Sequence, residues 1–423
     1  MTPRILIVGG GPAGLTAAIA AARAGASVAV ADRMDRVGKK LLASGGGRCN
    51  LSNISINESN YHGAGVKSAF SIIEKSGGHF ATDFFKSIGV LTVLEDQTRY
   101  YPATFSSNTV LNALRTEAAR LGVAEMCAHE AVSINVKNGV FTTEFRDRPA
   151  YGSDRVVVAA GGKASPALGS NGSGYCLLTA LGHSLVASAP ALTQLRLAAT
   201  DIRGLQGVRI RAGLKLLRNC QKDSRAEGGV RFHETGELLF TNYGITGIPA
   251  LNLSCAIAED ISAAAAIEGT SVISLDLFPD FTGGELCGFF EYQINNRPRI
   301  SLETILCGVL NKRIASLVIK RAFGGGWAPG GAPAASNPDI ANLARLLKDW
   351  RHTVTGLEGF KGAQATYGGI PLGEFCADTL ESVIIPGLYA AGEILDVVGE
   401  CGGYNLHWAW VSGYLAGRSA AMR

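Results

Sequence analysis

Three glycines, Gly9, Gly11 and Gly14, stand directly between an apolar β-rich run, Arg4–Val8, and an alanine-rich stretch, Leu15–Arg23. Few folds accept that spacing, because it reads as a buried strand, a tight turn and a helix. The first glycine permits the turn, the second lets a phosphate approach the backbone, and the third lets helix and strand pack closely. The segment Gly11-Pro12-Ala13-Gly14 then offers free N–H groups and the positive end of a helix dipole to a pyrophosphate. Gly25 ends the helix, Ser27–Ala31 reads as a second strand, and Asp32 closes it, followed by Arg33. An acid in that place accepts hydrogen bonds from adenosine ribose hydroxyls. The motif alone does not separate FAD from NAD.

Composition removes several alternatives. The chain has 423 residues, enough for about two to three structural units. Charged residues are 17% and hydrophobic residues 47%, so the chain is not intrinsically disordered. Lys+Arg number 39 and Asp+Glu 35, with no like-charge run, so no nucleic-acid partner is expected and small molecules are. Nine cysteines are scattered without CxxC or paired spacing, which argues against a disulfide framework or a metal and suits a reducing cytoplasm. Ile5–Ala31 superficially resembles a secretory signal, but Gly9–Pro12 interrupts it and strand, turn, helix and strand explain it better. No other run approaches the about 18 apolar residues of a membrane span, so none is expected.

Further along, Ser68–Ser76, Ala81–Ile88 and Ser107–Leu121 carry helical periodicity, and Gly89–Leu94 reads as a strand. Val132–Val136 and Val140–Phe145 flank Asn138-Gly139 as a hairpin, and Arg155–Ala160 is a second fully apolar strand. From Gln194 to Arg345 the pattern changes to strands (Val208–Leu217, Gly236–Thr241, Val272–Leu277), amphipathic helices over Leu302–Phe323 and a Gly/Pro/Ala-rich stretch, Gly324–Pro338. The first pattern returns after Trp350 and ends in a helix over Asn405–Met422. The expected organisation is therefore a discontinuous α/β Rossmann-like nucleotide domain, residues 1–193 and 346–423. An inserted β-rich and helical substrate-side domain takes residues 194–345.

Two segments shift the reading from NAD to FAD. Val156–Gly162, with Ala160 and Gly161, resembles the strand that passes under the nucleotide in two-motif flavoproteins. Pro386–Glu393 resembles their C-terminal flavin motif, with Gly392 and Glu393 near the ribityl and phosphate region. The final helix opens at Gly402–Asn405, and N–H groups of Gly403, Tyr404, Asn405 and Leu406 are suited to stabilising negative charge on a reduced flavin ring. Lys40 and Arg48 in the glycine-rich loop are read as phosphate or flavin contacts, with Ser44, Gly46, Gly47 and Asn50 beside them. Val132 completes the cofactor set. Cys49, Cys401, Trp408 and Trp410 are read as packed side chains.

Lys39–Asn50 (KKLLASGGGRCN), Phe240–Gly247 (FTNYGITG), Gly387–Asp396 and Gly402–Trp410 together resemble the YhiN/BaiN-type bacterial flavoproteins along essentially the whole chain. The resemblance implies a cytoplasmic FAD-dependent oxidoreductase. It implies reduction of a conjugated C=C bond in a keto-steroid or bile-acid-like enone, with NAD(P)H as transient donor; oxidation of small amines and flavin redox sensing are the alternatives. Tyr101 and His407 are the expected catalytic residues on the substrate side, where His407 would donate a proton. Glutamine is usual at the place of His407 and proline at that of Gln194, so the substrate-side chemistry of this chain is its own.

Overall fold

The structure, a computed structural model, describes residues 2–217, 229–263, 271–323 and 337–422. Most of the Gly324–Pro338 stretch, residues 324–336, thus lies outside the described residues. The chain forms two compact units. The first comprises Met1–Leu192, Cys255–Ala264 and Gly359–Arg423; the second comprises Thr193–Ser254 and Ala265–Glu358.

The first unit is a layered α/β structure built on a parallel sheet. β1 (Arg4–Val8) lies at its centre, flanked by Arg155–Val158 and by β2 (Ser27–Asp32), with Leu388–Ala390 and Ala124–Cys127 at the edges. Ile5, Leu6 and Ile7 have no exposed surface, as an all-apolar central strand covered on both faces requires. α1 (Pro12–Arg23) follows β1 through the glycine turn, as the spacing predicts. The edge strand Leu388–Ala390 comes from the far end of the chain, so the sheet itself closes the discontinuity.

The C-terminal helix (Tyr404–Met422) packs against α1 almost backbone to backbone. A side chain at Gly413 would run into the carbonyl of Ala13, and one at Gly417 into the carbonyl of Ala17. Four residues apart, these glycines lie on one helix face and set how close the helices come. Trp410 is fully buried, its indole N–H donates to Leu51 O at 3.0 Å, and its ring meets Phe85 edge-on at 5.0 Å. Trp408 donates to Gly392 O at 3.2 Å, so both tryptophans are core residues, as the sequence suggests.

The second unit is a closed barrel of antiparallel-paired strands. Leu195–Leu197, Gly244–Thr246, Val230–Phe240, Arg209–Leu217, Val272–Asp276 and Trp350–Leu357 follow one another round it. Helices accompany it. The helical pattern over Leu302–Phe323 forms two helices, Leu302–Cys307 and Lys312–Phe323: the first ends at Gly308, and Asn311 begins a new turn by accepting from Arg313 N–H at 3.0 Å.

Two tests follow from this packing. Gly417→Ala is expected to lose about 1–3 kcal/mol by overpacking, read as a lower denaturation midpoint; an unchanged midpoint would contradict the close approach. Glu117, on the helix Ser107–Arg120, accepts from Arg120 Nε at 2.7 Å and from Arg23 Nη2 of α1 at 2.8 Å. Those bonds, Arg120 first, hold its carboxyl down at about 2 against an ordinary 4.5. A folded pKa below the unfolded one stabilises fully above about pH 4.5, and the contribution fades as pH falls toward 2. Glu117→Gln should therefore cost about 1 kcal/mol at pH 7, roughly half of that at pH 3 and least toward pH 2, measured by denaturation across that range.

Candidate functional site

The glycine turn divides its labour among its members. Gly9 has φ +108° and no room for a side chain, which would meet Ala160 Cα at 2.8 Å and overlap Ala159. Gly14 is equally closed, against Gly9 O. Gly11 faces open space. Pro12 takes the first helical position of α1 and no side chain caps the helix. Leu15 N–H is the first to close onto the turn, on Gly11 O at 2.9 Å, which leaves the N–H groups of Ala13 and Gly14 without a helical acceptor. An uncapped helix end with an open glycine before it fits a pyrophosphate.

Asp32 is tied to the same turn. Its carboxylate accepts from Gly10 N–H and from Met34 N–H, each at 2.8 Å, and burial raises its pKa above the ordinary value. A carboxylate has lone pairs left over for ribose hydroxyls after two such bonds. Arg33 turns away to Glu130, at 3.3 Å. Val132 is exposed and sits at a register shift between Ala131 and Ser133 in the three-stranded sheet that follows.

Lys40 and Glu393, both expected at the cofactor, hold each other: Nζ to Oε2 is 2.7 Å. Glu393 Oε1 is buried with no hydrogen-bond partner. Gly392, at φ +78°, lies against Ala13, where an added Cβ would stand 2.8 Å from that of Ala13, and its N–H donates to Ser412 Oγ at 3.0 Å. Gly161, also left-handed, faces Ser170 Oγ. Ala13, Ala160, Gly392 and the open Gly11 thus gather at one end of the parallel sheet, and the orphaned Glu393 oxygen there fits a cofactor hydroxyl as donor.

The second cluster is built by the Ser44–Asn50 loop, Tyr101 and the start of the C-terminal helix. Gly45, Gly46 and Gly47 all take positive φ, so the loop coils in a way other residues resist. Ser44 Oγ donates to Leu41 O at 2.6 Å, and Cys49 is buried with its thiol pushed up to about 12 by that burial. It is a packed thiol at neutral pH. Arg48 pairs with Glu95, its guanidinium 4.5 Å from the Tyr101 ring centre and 4.7 Å from that of Phe105. Asn50 Oδ1 is buried without a partner, 2.7 Å from where a Cβ at Gly403 would stand. The Asn405 side chain turns back on Gly399, accepting from its N–H at 2.9 Å and donating to its O at 2.6 Å, while Leu406 packs on the core. Tyr404 receives Tyr61 OH on its carbonyl at 3.2 Å.

His407 is fully buried. Ser52 Oγ lies 2.8 Å from its Nδ1, its Nε2 has no partner, and burial lowers its pKa to about 4. The ring is therefore neutral at pH 7, with no imidazolium to donate from. Sequence reasoning missed Ser52 and also Asn53, whose Nδ2 donates to Gly402 O at 3.0 Å. The signal was present in the polar tail of the glycine-rich loop, Asn50-Leu-Ser-Asn53. Among the described residues no group of three His, Cys, Asp or Glu is placed to hold a metal, and no helix is long and apolar enough to cross a membrane.

Replacing Asp32 with Ala should weaken FAD by about 1–3 kcal/mol. Because its pKa is raised, wild type should begin to release FAD at milder acidity than an ordinary aspartate would allow, and Asp32→Asn should lose that pH dependence. Fluorescence of released FAD against pH measures both; unchanged affinity would remove Asp32 from the ribose.

Comparison with known proteins places this geometry. A family model described as HI0933-like protein Rossmann domain matches residues 3–419. The chain is similar to the 3-dehydro-bile acid delta(4,6)-reductase of Clostridium scindens, 36% identical with 99% of each chain covered. It is also similar to the ribosomal RNA dihydrouridine synthase of Escherichia coli, 28% identical over 97% of this chain and 96% of that one. Among solved structures it aligns with the 3-ketosteroid-delta4-(5alpha)-dehydrogenase of Rhodococcus jostii RHA1, 17% identical, TM-score 0.49, over 99% of this chain and 96% of that one. With a match along nearly its whole length and a glycine turn, parallel sheet and returning C-terminal helix to go with it, the chain belongs to the HI0933-like family of Rossmann-domain proteins.

Proposed function

We propose that the protein reduces a carbon–carbon double bond conjugated to a carbonyl, in a hydrophobic enone of keto-steroid or bile-acid type, with NAD(P)H as electron donor. The enzyme is an FAD-dependent oxidoreductase. The full-length likeness to a protein named a bile acid delta(4,6)-reductase carries the reading. The second relative's name describes saturation of the uracil C=C, which is also conjugated to a carbonyl, so both names share one reaction type. That name also supports a second reading, in which the double bond belongs to a uracil of RNA, against the sequence-based expectation of no nucleic-acid partner.

Bound FAD supplies a two-electron hydride relay between donor and double bond. Gly11, Ala13 and Gly14 hold its pyrophosphate and Asp32 its ribose. Glu393, oriented by Lys40, accepts from a hydroxyl of the cofactor through its orphaned oxygen. The N-terminus of the C-terminal helix would stabilise negative charge on the ring. His407, neutral and joined to Ser52, is a positioning residue, and Tyr101 with Arg48 stacked on it forms a wall of the reacting end.

Anaerobic holoenzyme should lose its flavin absorbance on mixing with NADH or NADPH and regain it on adding a Δ4-3-ketosteroid, with a product heavier by two hydrogens in mass spectrometry. Reduction by small amines, or none by any donor, would contradict the reading; reoxidation by uridine-containing RNA but not by steroid would favour the second one.

A further inference from the structure

The Phe240–Gly247 motif lies in the second unit, and nothing in the cofactor reading employs it. Its turn is fastened to the barrel strand Leu195–Leu197. Leu197 N–H donates to Tyr243 O at 2.8 Å, Thr241 N–H donates to Gly244 O at 2.8 Å, and a side chain at Gly244 would overlap Leu195 O. Leu195 and Leu197 are buried, so Gln194 and Arg196, which alternate with them, take the opposite face of the strand.

Tyr243 joins these two side chains. Its hydroxyl donates to Gln194 Oε1 at 2.5 Å, and the Arg196 guanidinium stands 5.7 Å from its ring centre. With Oε1 taken, the Gln194 amide turns its two Nε2–H donors away from the tyrosine, and among the described residues they have no acceptor. Arg196 meets Glu358 through Nε at 3.7 Å, beyond hydrogen-bond reach, so the edge formed by its two terminal nitrogens also has no acceptor among the described residues. Glu358 N–H donates to Gln194 O at 2.9 Å, which keeps the group together. The Arg196 side chain is 52% exposed, so an incoming molecule can reach it. N–H donors from a guanidinium and an amide, one group charged and both tied to the same tyrosine, match the two oxygens of a carboxylate. Glu358, on the Nε side, orients the guanidinium and leaves its other edge for a second acid.

Resting on the reductase reading, we propose that Arg196 and Gln194, pinned by Tyr243, bind the carboxylate of an acidic steroid of bile-acid type, so that the second unit selects acids over neutral ketosteroids. Tyr243 is a positioning residue here: it fixes which end of the amide faces the ligand.

Isothermal titration of the FAD-loaded protein with a Δ4-3-ketosteroid bearing a side-chain carboxylate, and with its methyl ester, tests this. Wild type should bind the acid about tenfold or more tightly than the ester, and the gap should narrow as salt is raised. Arg196→Ala should bring the acid to the affinity of the ester, Arg196→Lys should keep part of the gap, and Gln194→Glu should narrow it by repulsion. In each variant the loss should fall on the acid and not on the ester. Equal affinity for the two compounds in wild type, or an Arg196→Ala loss that falls on both alike, would overturn the proposal. Should the variants fail to fold, the salt series on wild type decides, and a gap indifferent to salt overturns it equally. If wild type prefers the acid but reduces neither compound with NAD(P)H, the reductase reading fails and the carboxylate site stands without it. Reduction of both with no preference defeats this proposal alone, and binding of neither removes both.

Discussion

The contact between α1 and the C-terminal helix governs the rest of the first unit. Two glycines, Gly413 and Gly417, let the last helix lie against the carbonyls of Ala13 and Ala17, on the same helix whose first turn carries the free N–H groups. Ser412 and Trp408, on that last helix, fix both polar groups of Gly392. Gly392 in turn sits against Ala13, and Glu393 follows it with an unsatisfied buried oxygen. A shift of the C-terminal helix would therefore disturb the glycine turn, the flavin motif and the Ser52–His407 link together, since close-packed interiors transmit such displacements.

Buried polar atoms without partners are rare in folded proteins, and here several fall where a large polar cofactor belongs. Asn50 Oδ1, Glu393 Oε1 and His407 Nε2 are of this kind. Two charged groups nearby are, by contrast, paired within the protein: Lys40 with Glu393, and Arg48 with Glu95 and two aromatic rings. On the proposed reading, backbone N–H groups and the helix terminus are left to hold the phosphates.

Local patterning was readable because it depends on neighbours in sequence. β1, the glycine turn, α1 and β2 follow from residue type over a few dozen positions, and so does the core placement of Trp408 and Trp410. What could not be read is the pairing of distant residues. Lys40 meets Glu393 and Ser52 meets His407 only because the sheet takes its edge strand Leu388–Ala390 from the end of the chain. Nor could the sequence show that Arg48, read as a phosphate or flavin contact, pairs with Glu95 and lies over the ring of Tyr101.

The central claim is that both ends of the chain build one FAD site. A crystal structure of the holoenzyme tests it most directly. The account requires the pyrophosphate on the N–H groups of Gly11, Ala13 and Gly14, the adenosine ribose on Asp32, a cofactor hydroxyl on Glu393 Oε1 and the flavin ring at the start of the C-terminal helix. A cofactor bound through the first glycine turn but making no contact with Glu393 or with residues 402–407 would contradict it.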